Sequence, residues 1–582
     1  MNLGIKMPDD LRLPAPLVIG VTGHRDLRPG DIEDLKAQVR QIFQELRDRY
    51  PSTPFILISS LAEGADRLVA EVALEPGNRA RLIVPLPMPQ ALYETDFDPA
   101  GSLEEFRKLL AQADYCFTIP LPEGVTEEAI AEPGPARDHQ YELMGQFVAH
   151  QSQILIALWD GVDSGKTGGT SEVIKFQTQG LPPGRDRELE QPELFPVYRI
   201  ATPRASNPVP DRTPFSREVI YPPAFGGDIE KAQLYYDRAF GNSDEFNRLM
   251  LENDPKLHSQ VARSKNDCIG GDLEDSDVSA KEALMLARHA FADALAIRYQ
   301  KKLVRTHRAL HVLVFLSYLA FVLSTEIEHF RYQFLILAII FFAGGVWAFL
   351  HARFAKLDNK TEDYRAMAEG CRLRFFWQLA GIHDSVSDRY LGEQRTELDW
   401  IRRALFGWEL DLQDGWPGTW TNQHERVEFV LEHWVDSQRR YFEHAGLVNR
   451  KRAVRFERSV KLFIFVAIGL ALLELIGGLV PVVREWTDHY HIIVAVTIDA
   501  LLAAGAILHH YSERRAHKEH EKQYRHMEEV YRTAARMTRA DLNANDLPGA
   551  LCTLRNLGEK ALEDSGSWVL LHRARPLELP HP

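Results

Sequence analysis

Hydrophobic positions fall into two regimes along the chain. Up to residue 204, short continuous apolar runs alternate with segments of helical period; beyond residue 277, apolar positions gather into long helices. In the first regime Leu17–Val21, Phe55–Ser60, Leu82–Pro85, Tyr115–Ile119, Gln153–Trp159 and Val197–Thr202 read as strands buried on both faces, the habit of a parallel sheet. Helical patterns lie between them over Asp31–Arg49, Ala65–Leu74, Leu103–Ala113, His139–His150 and a shorter stretch after Thr170. This alternation predicts a doubly wound, Rossmann-like α/β domain over residues 1–204. Residues 205–276 are rich in Pro, Gly, Asn and Asp and read as a connector with one helix near Ile229–Phe240; an extra strand or a lid stays open.

The second regime predicts an all-α membrane region with four transmembrane helices in two hairpins. Ser279-x-x-Glu282 is a capping box that opens a long helix. Apolar runs follow at 310–325 and 332–350, joined by the short turn Glu326–Arg331, and again at 462–483 and 492–508. Runs of this length sit at the short end of a membrane span. The alternative, buried hairpins of a soluble protein, is disfavoured by charge. Lys301, Lys302, Arg305, Arg308, Arg353, Lys356, Arg450, Lys451, Arg455, Arg458, Lys461, Arg514, Arg515 and Lys518 crowd the outer ends of the runs, whereas the turns are mostly acidic or neutral. By the positive-inside rule both termini are cytoplasmic, in a multi-pass protein of the cell inner membrane.

The plan is duplicated, as residues 277–445 and 446–582. Tyr364-Arg365-x-Met367-x-Glu369 with Arg372 follows the first hairpin, and Tyr524-Arg525-x-Met527-x-Glu529 with Arg532 follows the second, 160 positions later throughout. Internal repetition is common in membrane architecture.

A net charge of −14 and a pI near 5.9 exclude a dedicated nucleic-acid binder. The four cysteines are far apart and form no CxxC, which predicts reduced thiols and no zinc site. The first sixteen residues lack the apolar core of a signal peptide, so contact with a bilayer falls to the internal segments.

Candidate chemistry sits where predicted strands end. Leu17–Val21 runs into Gly23-His24-Arg25; the second strand runs into Ser59-Ser60-Leu-Ala-Glu63-Gly64-Ala65-Asp66; the fifth into Gly165-Lys-Thr-Gly168-Gly169-Thr170-Ser171-Glu172. Such turns lie outside the carboxyl ends of parallel strands, where ligands bind. Their N–H and hydroxyl groups, with the following helix N-termini, suit a phosphate-bearing ligand. Arg25 could pair with a phosphate, and Asp66 or Glu172 with a ribose hydroxyl. The plain alternative is that the glycines only make tight turns. His24 could contact a ligand or cap its own turn. The stretch Gly161–Thr167 is not a P-loop, because three residues rather than four separate its glycines.

In the membrane region Glu474 and Asp499 are candidates for a pore lining or gate, since ionisable groups in a span usually face a bundle interior. Otherwise they are protonated or bonded to neighbouring helices. His517 and His520 read as a solvated face rather than a metal site. Tyr524, Met527, Tyr531 and Ala535 form a stripe that packs within the chain or against a second copy.

The three turns, VTGHRDL, SSLAEGAD and GKTGGTSE, resemble the SLOG superfamily of Rossmann-like nucleotide-binding domains over roughly residues 16–204. That superfamily includes cytokinin-activating phosphoribohydrolases and the cytosolic head of TRPM channels. The resemblance implies that Gly23, Ser60, Gly64, Gly168, Gly169 and Thr170 line a pocket for a nucleotide or an NAD- or ADP-ribose-derived ligand. In the hydrolases the last motif reads G-T-x-x-E with a catalytic final Glu. Here that place holds Val173, with Glu172 one position early, which points to binding rather than hydrolysis. The C-terminal half, with its hairpins, repeated YRxMxE helices and Gly566–Arg573, resembles the SLATT type of two-span effector, present twice.

Two functions follow as expectations. In the first, the α/β domain senses a nucleotide-derived signal and the spans open or disrupt the lipid bilayer, as in bacterial anti-phage defence. Four short spans per chain then require a homo-oligomer. In the second, the α/β domain is a membrane-anchored hydrolase of a nucleotide N-glycosidic bond or of NAD, with Glu172 or Glu63 as the acid.

Overall fold

The computed structural model describes residues 13–97, 101–181, 193–270, 278–390, 398–410, 422–479, 481–514 and 516–573. Arg515, from the basic set flanking the last span, and Ser276, at the end of the connector, lie outside them. The chain divides into two compact units. One takes residues up to Asn253 together with 392–416; the other takes 254–391 and 417–582.

The first unit is built on a seven-stranded sheet of order β4-β3-β2-β1-β5-β6-β7. Its strands are β1 (Leu17–Gly23), β2 (Phe55–Ile58), β3 (Ala80–Leu86), β4 (Tyr115–Thr118), β5 (Ile154–Trp159), β6 (Val197–Ala201) and β7 (Arg217–Ile220). All neighbours pair in parallel except β6 and β7. The helices between them are α1 (Ile32–Arg49), α2 (Ala65–Ala73), α3 (Ser102–Leu110), α4 (Pro135–Gln151) and α5 (Thr170–Gln179). Successive strand residues point to opposite faces. Leu17, Ile19 and Val21 therefore pack with Val39 and Phe43 of α1, whereas Val18 packs with Val148 of α4 and Ile174 of α5. Both faces are covered, which is why the strands read as continuous apolar runs rather than alternating ones.

The stretch read as a connector holds more structure than one helix. It contributes β7, α6 (Ile229–Leu251) and α7 (Pro255–Ile269), the last in the second unit. The α6 helix is fixed to the sheet by buried Asn247, whose amide brackets the Ala15 backbone at 2.7 and 2.8 Å.

In the second unit α8 (Ala280–Glu326) opens on the expected capping box. It is followed by α9 (Arg331–Phe354) and, after left-handed Lys356, by α10 (Leu357–Ala380). The chain then returns to the first unit through α11 (Asp399–Glu409). Back in the second unit come α12 (Gln423–Val430), a π-helical turn (Leu431–Asp436), α13 (Ser437–Leu479), α14 (Pro481–Arg514), α15 (His517–Asn543) and α16 (Leu547–Arg573). Among the described residues, four helical stretches are long and apolar enough to cross a membrane, the make-up of a multi-pass membrane protein. Their large apolar side chains point outward: Phe342, Trp347, Phe465 and Ile493 are all exposed. Contiguous exposure on this scale marks a membrane or partner surface. The second hairpin turns earlier than the hydropathy suggests. Pro481 opens α14, the position where its missing N–H costs nothing, and the polar stretch after residue 483 continues as helix.

Candidate functional site

The sheet reverses its winding between β1 and β5, which are adjacent although three strands separate them in sequence order. Connections leave this point in opposite directions, so a crevice opens at the carboxyl ends of the two strands. A cavity of about 410 Å³ occupies it. Gly23, His24, Arg25, Ser60 and Asp66 line it from the first two turns, and Gly168, Gly169 and Thr170 from the third. The structure thus brings together eight of the predicted site residues. Glu63, Gly64 and Glu172 do not line the cavity but shape its walls. Gly64 has φ of +80°, and a Cβ there would sit 2.5 Å from the carbonyl oxygens of His24 and Arg25, so the first two turns close on each other only around glycine. Glu63 accepts a hydrogen bond from the Ser102 hydroxyl. Glu172 accepts the Gly168 N–H at 2.6 Å, bracing the third turn.

That turn is built by short-range polar contacts. Asp163 accepts the Gly165 N–H at 3.1 Å and the Ser171 hydroxyl at 2.8 Å, and it pairs with Lys175 at 2.6 Å. Lys175 and the hydroxyl hold its carboxyl down at about 2. The turn delivers Gly169 as N-cap of α5 with no side chain on the first-turn amides. Those amides, and the positive end of the helix, face the cavity through Thr170 and Ser171.

Under the crevice lies a buried polar cluster. Asp160, fully buried at the end of β5, accepts from the Asn207 amide at 2.9 Å and the Val162 N–H at 3.0 Å, and pairs with Arg204 at 3.0 Å. Burial would raise its pKa, but these donors together with His24 and Arg204 outweigh that and hold the carboxylate below the ordinary range. His24 Nε2 lies 3.0 Å from the Asp160 N–H, and its Nδ1 lies 3.3 Å from the Arg204 guanidinium. A neutral imidazole has one lone pair, enough for one of these two donors, and a protonated one has none. Burial likewise lowers the His24 pKa, against the pull of Asp160, so the ring is neutral at pH 7.

Asp66 is the converse case. Burial pushes its carboxyl up to about 6, against the hydroxyls of Ser60 and Ser59, 3.0 and 3.3 Å away, and the charge of Arg25. Above pH 6 it is ionised and opposes an anion beside it. We therefore expect Asp66→Asn to tighten binding of a phosphate-bearing compound several-fold at pH 7.5 and to change it little at pH 5, read by calorimetric titration at both values. Any titration of His24 is common to both chains, so the comparison with Asp66→Asn isolates the carboxyl.

Tyr93, Tyr141, Trp159, Lys166 and Arg204 also line the cavity without having been singled out in the sequence. Trp159 ends the fifth strand and Arg204 follows the sixth, so asking what stands at each strand end would have found them. Tyr141 sits on α4, where nothing in the helical pattern distinguishes it; Arg25 lies 5.5 Å from its ring centroid.

In the second unit Glu474 pairs with His491 rather than standing alone. Asp499 lies close enough to Tyr318 of the first span to interact electrostatically. No cluster of three metal-ligating side chains occurs among the described residues. The stripe Tyr524, Met527, Tyr531 and Ala535 is buried within the chain. No protein-family profile matches the sequence, and no curated protein matches it as a relative.

Proposed function

We propose that the chain is a ligand-controlled membrane effector, in which the α/β unit binds a nucleotide-derived small molecule and the helical unit changes the permeability of the bilayer. The observation that carries this reading is the crevice at the β1–β5 switch point. Arg25, Lys166, Arg204 and the amides opening α5 offer positive charge and donors, while Tyr93, Tyr141 and Trp159 offer ring faces. That combination suits a phosphate joined to a flat base. The motifs that resemble the SLOG superfamily contribute three of its walls, in keeping with a nucleotide, NAD- or ADP-ribose-type ligand.

The same polypeptide carries four outward-apolar helices. Basic residues at their outer ends favour an inner-membrane protein with both termini and the α/β unit in the cytoplasm. The chain passes between the two units three times, so a ligand that favours one arrangement of the first can bias the second. Four spans make a small bundle, and a pore calls for several copies. With the SLATT-like duplication, the arrangement fits an effector of bacterial anti-phage defence.

The test is binding. Arg25 is exposed, so Arg25→Ala should leave the melting temperature unchanged. It should weaken the phosphate-bearing ligand about tenfold or more, the effect of losing one charge-assisted contact. Mass spectrometry should find the compound intact after binding. Consumption of the compound would overturn the sensor reading in favour of an anchored hydrolase.

A further inference from the structure

A second cavity, of about 340 Å³, lies within the helical unit, among the stems below the apolar spans. Its walls come from α8, α10, α13, α15 and α16. Arg365, Glu369 and Arg372 line it as one stripe of α10, at i, i+4 and i+7. They are the charged residues of the first YRxMxE copy. The facing wall is aromatic and comes largely from the second copy and its neighbours: Tyr524 and Tyr531 of α15, Phe442 of α13 and Trp568 of α16. The two copies therefore serve different ends. Arg532, the counterpart of Arg372, pairs with Glu528 and Glu529 on an exposed face instead.

The groups around this space are rich in donors. Arg365 lies over the Trp568 ring at 4.2 Å and hydrogen-bonds the Tyr524 phenol, which also meets Tyr441. Three carboxylates line the cavity too, and each already has a protein donor. Glu369 takes Arg372, Asp564 takes the Gln523 amide at 2.8 Å, and Asp293 takes the Ser264 hydroxyl at 2.6 Å. Burial raises the pKa of Asp564, against the hydrogen bond from Gln523. A guanidinium has five N–H donors and no acceptor, so Arg365 and Arg372 carry more N–H groups than the contacts with Tyr524 and Glu369 take up.

We propose that this stem cavity is a second ligand site, which takes a small phosphate-bearing anion with a planar base, of nucleoside-monophosphate size, between the arginine stripe and the aromatic wall. The site stands apart from the crevice of the α/β unit and goes beyond the function proposed for it. Its place explains what it would do. The α8 helix runs unbroken from Gln300, in the cavity, to the first span at Leu310, ten residues or about 15 Å further on. The α13 helix likewise runs unbroken from Phe442 into the third span. A ligand that fits one spacing of these stems acts on the spans directly. A lipid headgroup carries the same phosphate chemistry, but it lacks the ring and sits at the membrane surface rather than down the stems.

The test uses the full-length Arg25→Ala chain, purified in detergent, so that the crevice binds about tenfold or more weakly. It is titrated calorimetrically with AMP, adenosine, inorganic phosphate and glycerol 1-phosphate, the last standing for a lipid headgroup. AMP is expected to bind at one site per chain. The other three should bind about tenfold or more weakly, since each lacks either the ring or the phosphate. Arg372→Gln, and separately Ala561→Leu, which fills the cavity without removing a hydrogen bond, should each abolish this site. Ala561→Leu decides the matter if Arg372→Gln loses its helical circular-dichroism signal. No saturable AMP binding to the Arg25→Ala chain, binding untouched by both cavity variants, or glycerol 1-phosphate matching AMP would overturn the proposal. Failure of the crevice reading has a different signature: wild type and Arg25→Ala would bind AMP with the same stoichiometry and affinity.

Discussion

Replacing Asp160 by alanine is expected to cost the α/β unit about 3 to 5 kcal/mol, the penalty for breaking a buried ion pair from one side, and to abolish ligand binding in the crevice. Asp160 is fully buried, and Arg204, Asn207 and the Val162 N–H converge on its carboxylate within about 3 Å. Alanine satisfies none of these three. Globular proteins are stable by only about 5 to 15 kcal/mol, so the loss takes a large share of the total. Binding should fail as well, because Arg204 and His24 line the cavity. Denaturant unfolding followed by the α/β tryptophans measures the cost; a change below about 1 kcal/mol would mean the cluster is solvated and contributes little.

The same cluster sets the response to acid. His24 has its pKa lowered, so the stability it contributes is complete above its ordinary value of 6.5 and is lost as pH falls through its lower folded value. Asp160 is also lowered, so its contribution is complete above 3.8 and is lost further down. Acidification should therefore weaken the unit first through His24 and then through Asp160.

Trp408→Ala is expected to destabilise the α/β unit by about 3 to 5 kcal/mol, the usual cost of emptying a large core site. Trp408 is fully buried, its indole N–H donates to the Pro14 carbonyl at 3.1 Å, and its ring meets Phe246 at 6.2 Å. The adjacent Gly407 lets α11 approach the start of β1, where a Cβ would fall 2.6 Å from Pro16. A segment almost 200 residues beyond β6 thus completes the first core. An α/β fragment ending at residue 253 should aggregate, and joining residues 398–410 to it should restore a cooperative melt. An unchanged melt for Trp408→Ala would contradict this.

Much of the fold could be read from the chain because its strongest signals are local. A strand covered on both faces must be apolar throughout, so all six parallel strands stand out, and the glycine turns after the first, second and fifth mark where a crevice will open. The return of α11 to the first core could not be read this way. Trp400 and Trp408 mark burial but not the partner, and the pairing with Pro14 and Phe246 depends on contacts across hundreds of residues. In the connector the helix expected near Ile229–Phe240 is the first part of α6, which runs on to Leu251, whereas the Pro, Gly and Asp residues around β7 and α7 hide those two elements. At the site, residue type located the glycines and Asp66 but not their division of labour. Glu63, Gly64 and Glu172 turn out to brace the turns, and only the backbone geometry at Gly64 and the Gly168–Glu172 bond separates bracing from lining.

The measurement closest to the central claim is dye release from liposomes carrying the purified full-length chain, with NAD, ADP-ribose and mono- and cyclic nucleotides added one at a time and each analysed afterwards by mass spectrometry. The account predicts release with one class of phosphate-bearing compound, recovered intact, and loss of that response in Arg25→Ala. A compound consumed without release, or release that needs no compound and is indifferent to Arg25→Ala, would contradict it.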